Sequence, residues 1–107
     1  MKLPKALKIM GKEYKVVEHL GAYKDNLSQV LGSGAGNLGS TSNSMCRIVV
    51  ASNQSKEQMK DTLIHEAIHA YDYALQLGLD EEQVHRLAAC TLSLLADNPA
   101  LVKYLVS

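Results

Sequence analysis

Thr62-Leu63-Ile64-His65-Glu66-Ala67-Ile68-His69-Ala70-Tyr71 is the stretch on which the reading of this chain turns. It lies inside a segment that predicts one helix from Lys56 to Leu77, with Ser55 as N-cap, Gln58 completing a capping box, and Gly78 just past the C-cap. Met59, Leu63, Ala67, Ala70 and Ala74 are expected on its buried face. Histidines four residues apart on a helix lie one above the other on one face. Two imidazoles in that geometry can hold a single metal ion, and Glu66, next to the first, can act as general base on a water molecule. A solvent-facing histidine pair would show the same spacing, but the surroundings argue against it. Leu63, Ile64, Ala67, Ile68 and Ala70 make the segment apolar nearly all round, and burying two histidines and a glutamate there is costly unless a partner compensates. A metal is such a partner. The pattern predicts metal-assisted hydrolysis with one zinc ion, although imidazole sites accept several divalent metals.

A zinc site of that kind takes three protein ligands and keeps a fourth position open. The third ligand is expected on the next helix, which Asp80 and Gln83 open with a second capping box. Val84, Leu87, Ala88, Thr91, Leu92 and Leu95 form its apolar stripe. At about 100° per residue, Glu82 projects toward solvent, whereas Glu81 and His85 flank the buried face. His85 lies a full turn inside the helix and Glu81 at its fraying end, so His85 is the expected third ligand and Glu81 the alternative. His19 is a remoter candidate. Asp72, three residues after His69, could orient a ligand imidazole, and the phenols of Tyr71, Tyr73 and Tyr23 could donate a hydrogen bond to a developing oxyanion.

Working outward, residues 7–18 predict a hairpin turning at Met10-Gly11-Lys12, with Ile9 on one strand and Tyr14 and Val16 on the other. Asp25-Asn26 can cap a short helix through Leu31. Gly32-Ser33-Gly34-Ala35-Gly36 is a connection that lacks the lysine and Ser/Thr of a phosphate-binding loop. Residues 37–41 and 45–51 predict a second hairpin around Ser42-Asn43-Ser44, its second strand carrying the β-favouring run Arg47-Ile48-Val49-Val50. Asn98-Pro99 separates a short last helix, Ala100 to Val106. Strands followed by helices predict an α+β domain, a small antiparallel sheet of two hairpins packed on the H-E-x-x-H helix and the helix after it.

At 107 residues the chain suits a single domain, 1–107, with a core small enough for a metal to add to its stability. Eleven basic residues balance eleven acidic ones and no basic face stands out, which removes the electrostatic basis for a nucleic-acid partner. Cys46 and Cys90 fall in different elements and are expected as buried, reduced thiols. Met1-Lys2-Leu3-Pro4-Lys5 has no signal core and the apolar runs are too short to span a membrane. A cytoplasmic protein is expected.

Residues 62–71 resemble the active-site helix of zincin metallopeptidases. The wider pattern is similar to small phage- and prophage-encoded metallopeptidases, which share an N-terminal hairpin, a Leu-Gly turn like Leu38-Gly39 before a strand, the H-E-x-x-H helix, and a helix ending in Asp-Asn-Pro, here Asp97-Asn98-Pro99. Such proteins resemble reduced gluzincins, whose third ligand is a glutamate on the following helix two positions before a Leu-Ala pair. Here that pair is Leu87-Ala88 and the position holds His85. His65 to Asp72 also resembles the Atp23-like and SprT-like peptidase motifs, where a histidine ligand after the second helix fits. The resemblance implies a zinc-dependent endopeptidase in the cytoplasm of the host cell, with Glu66 as base and a protein or peptide substrate. Such a substrate binds efficiently by adding a strand to an open sheet edge, residues 37–41 or 45–50 being the expected edges. The alternative is a zinc-binding regulatory protein without turnover, which would have no use for Glu66.

Overall fold

The computed structural model describes residues 2–19 and 38–107. Strands β1 (Ala6–Ile9) and β2 (Lys12–His19) form the first antiparallel hairpin. Met10 and Gly11 both take positive φ, 49° and 83°, the pair of left-handed residues whose twist matches a two-residue hairpin loop. Strands β3 (Gly39–Ser42) and β4 (Arg47–Ala51) form the second. The Tyr14 hydroxyl ties the two hairpins together, donating to Asn43 Oδ1 at 2.9 Å.

The fold is α+β as expected, but the sheet is mixed, not antiparallel throughout. Its order is β1-β2-β4-β3, and β2 runs parallel to β4 from the pair Lys15 and Arg47 to the pair His19 and Ala51. The reason lies in β4. Ile48, Val49, Val50 and Ala51 are all buried, and a strand apolar on both faces belongs inside a sheet with neighbours on both sides. The interior place of β4 rules out residues 47–50 as an open edge and leaves β3 at the margin of the sheet among the described residues.

Three helices follow: α1 (Lys56–Leu75), α2 (Glu81–Ala96) and α3 (Pro99–Val106). The Ser55 hydroxyl accepts the Gln58 N–H at 3.1 Å and starts α1. α1 ends two residues short of the expected Leu77. Gln76 turns left-handed (φ 52°) and gives its N–H to the Asp72 carbonyl, which also accepts from Leu77 at 3.1 Å, while Gly78 supplies a second left-handed step at φ 71°. α2 opens with the complete box expected, Asp80 Oδ1 accepting the Gln83 N–H at 2.8 Å and Gln83 Oε1 accepting the Asp80 N–H at 2.9 Å. Pro99 occupies the first turn of α3, where its missing N–H costs nothing.

The core joins Ile9, Tyr14, Ile48 and Val50 of the sheet to Ala70 of α1, with Met59, Leu63 and Ala67 packed against them. Of the expected inner face of α1 only Ala74 is exposed. α2 buries Val84 and Ala88, whereas Leu87 of its expected stripe is exposed. Both cysteines are free thiols; Cys46 is half-buried, but Cys90 is exposed because α2 is covered along a narrow strip only. Among the described residues no helix is long and apolar enough to cross a membrane. The short helix expected through Leu31, the glycine-rich connection and Tyr23 lie outside the described residues.

Replacing Asp80 with Ala removes a side-chain cap at the start of α2 and is expected to lower stability by about 1 kcal/mol. Urea unfolding monitored by circular dichroism measures it; an unchanged midpoint would contradict the role of the box.

Candidate metal centre

α1 carries His65 and His69 on one face, their ring centroids 5.0 Å apart. Both Nε2 atoms are turned toward one carboxylate, that of Glu81 at the first position of α2. His65 Nε2 lies 2.5 Å from Glu81 Oε1 and His69 Nε2 lies 3.1 Å from Glu81 Oε2. One donor atom from each of these three residues falls within 4.8 Å of the others, a spacing that could hold a metal ion. The chemistry of the set fits a divalent metal. Two imidazole nitrogens and one carboxylate oxygen form a donor set used by catalytic zinc sites that keep an open position. Burial pushes the Glu81 carboxyl up, but its hydrogen bond to His65 and the attraction of both imidazoles outweigh that and hold it below the ordinary glutamate value.

The expected third ligand, His85, is not drawn into this group. It is exposed, with its ring centroid 6.3 Å from that of His65, and it lines the wall of the cleft one turn beyond Glu81. The fraying that counted against Glu81 is suppressed by the Asp80–Gln83 box, and a carboxylate in a first helical turn is favoured by the helix dipole. Asp72 serves the turn between the helices, its Oδ1 accepting the Leu79 N–H at 3.1 Å, although it also lines the cleft. Tyr71 stands 38% exposed and outside the cleft wall, which Tyr73 joins. His19 ends β2, paired with Ala51, apart from the group.

Glu66 is 5% exposed and lies between the helix and the edge strand. The Thr41 hydroxyl of β3 donates to its Oε1 at 2.8 Å. Burial raises the Glu66 carboxyl above its ordinary value; the Thr41 hydrogen bond and the nearby His69 and His65 pull it down without overcoming that, and Glu81 adds to the rise. β3 passes so close to α1 that a Cβ on Gly39 would stand 2.8 Å from Thr62 Cγ2 and 2.9 Å from Glu66 Cγ. Glu66 and the three convergent side chains all line one cleft of about 570 Å3, with Gly39, Ser40 and Thr41 on its β3 side. Sequence reasoning placed Thr41 on an expected peptide-binding edge but gave its side chain no role, and nothing local to it signals one. A glycine opening a strand can mark close approach of another chain segment, so Gly39 had a readable signal.

The arrangement places a donor set that could hold a metal, carried by two packed helices, beside a buried carboxyl in one cleft. Residues 5–93 match the Peptidase M76 family, and the chain belongs to it. It is therefore a member of a metallopeptidase family, a hydrolase class acting on protein or peptide substrates. Neither the comparison with curated proteins nor that with solved structures returns a match.

Gly39→Ala is expected to force α1 and β3 apart, because both nearest groups are set close to the backbone. Overpacking of this kind costs about 1–3 kcal/mol. A thermal melt equal to that of the parent protein would show that the strand yields freely.

Proposed function

We propose that this chain is a zinc-dependent endopeptidase in which His65, His69 and Glu81 hold the ion and Glu66 is the general base. The observation that carries the reading is the convergence of these three side chains beside a buried carboxyl that a purely structural metal site would not require. The ion, when bound, supplies a Lewis acid that polarises a carbonyl and makes a water more acidic. Glu66 accepts the proton of the attacking water at its carboxylate and returns it to the departing amine. His65 and His69 would each offer Nε2 to the ion, the atoms that are turned toward Glu81. β3 lines the cleft and ends the sheet among the described residues, and in this reading an extended peptide pairs to it as an added strand. His85 stands at the cleft wall and contributes no donor atom to the ion in this reading.

Zinc added at 100 times its dissociation constant is expected to stabilise the protein by about 2.7 kcal/mol. Calorimetry should find that gain abolished in Glu81→Ala and retained in His85→Ala; the reverse pattern would return the third place to His85. Glu66→Gln should retain zinc and lose cleavage of a broad peptide mixture by about 100-fold or more. A wild-type protein that binds zinc and cleaves nothing across such a mixture would favour a binding protein without turnover.

A further inference from the structure

Thr41 lies on a different element from the H-E-x-x-H motif, yet its hydroxyl oxygen is 2.8 Å from Glu66 Oε1 and 2.9 Å from the Glu66 main-chain oxygen. A hydroxyl has one proton to give. An ionised carboxylate is the stronger acceptor, and the main-chain oxygen of a residue in mid-helix already receives an N–H from the next turn. The proton therefore serves Oε1. Two positions earlier on the same strand, Gly39 closes over the rest of the side chain: a Cβ there would meet Glu66 Cγ at 2.9 Å and Oε2 at 3.1 Å. Alternate residues of a strand share a face, so Gly39 and Thr41 together form a seat, one limiting the space around the carboxylate and the other fixing its rotation. A free glutamate side chain samples several rotamers, and a base that must meet a water in one geometry loses rate when it wanders.

We propose that Thr41 is the positioning residue of Glu66, acting through its hydroxyl from the edge strand. The proposal rests on Glu66 being the general base. It adds a consequence for substrate alignment. The strand that seats the base is also the last of the sheet among the described residues and lines the cleft, so a peptide paired to β3 would be registered against Glu66 by a single element, without the sheet and helix having to be aligned separately.

The test has two arms. In the metal-free protein, the carboxylate stretching band of Glu66 is identified by infrared difference against Glu66→Gln. Thr41→Val is expected to shift that band, and Thr41→Ser to restore it. In the zinc-loaded protein, with a quenched fluorescent peptide mixture, Thr41→Val is expected to lower kcat by about 10-fold or more with KM within about twofold, and Thr41→Ser to rescue most of the loss. Zinc content is expected to be unchanged in both variants. An unmoved band in Thr41→Val overturns the proposal, and so does undiminished kcat with a moved band. If Thr41→Val fails to fold, Thr41→Ala reads the same loss of the hydroxyl. A wild-type protein that cleaves none of the mixture defeats the peptidase reading alone; the infrared band then decides by itself whether Thr41 holds Glu66.

Discussion

The close approach of β3 to α1 is the constraint on which the rest of the site depends. At Gly39 the strand comes near enough to leave no room for a Cβ against Thr62 and Glu66. That approach buries the Glu66 carboxyl, and a buried carboxyl must find a donor. Thr41 provides it from the same strand. Neighbouring bonds hold the strand in place. Gln54 Nε2 donates to the carbonyls of Leu38 and Ala51 while its Oε1 accepts from Thr62, and the Ala51 N–H reaches the Leu38 carbonyl at 2.8 Å. Sheet and helix are thus locked together at the point where the chemistry is proposed.

The opposite wall of the site follows from a short connection. α1 ends in a left-handed step at Gln76, a second follows at Gly78, and Asp72 binds main-chain N–H groups on both sides of the turn. The chain reverses and α2 begins at Glu81, already capped by Asp80 and Gln83. A glutamate at that first position reaches back to both imidazoles. Val84 and Ala88, fully buried, set the spacing of the two helices just beyond it. The convergent group, Glu66, Thr41 and Gly39 all fall within the residues matched by the family, whereas α3 lies beyond them.

Much of this was legible in the sequence. The hairpin at Met10-Gly11, the capping residues Ser55 and Asp80, the break at Pro99 and the histidine pair of α1 are local signals: a turn needs positive φ, a helix end needs a side-chain acceptor, and a period of about 3.6 residues aligns positions four apart. That Glu81, and not His85, lies against both imidazoles was not legible, because the two are four apart on one helix and share a face. Helical phase cannot separate them; only the offset along the axes of two packed helices can.

The sequence by itself therefore determined the element types, the α+β class and the H-E-x-x-H face, since each depends on residues close together in the chain. Only the tertiary structure decided that β4 is interior and parallel to β2, that Glu81 meets both histidines, and that Thr41 and Gly39 enclose Glu66. Those are contacts between residues 12 to 32 positions apart. Their partners are selected by how a strand apolar on both faces and a helix carrying a buried carboxyl pack together, and no local pattern encodes that choice.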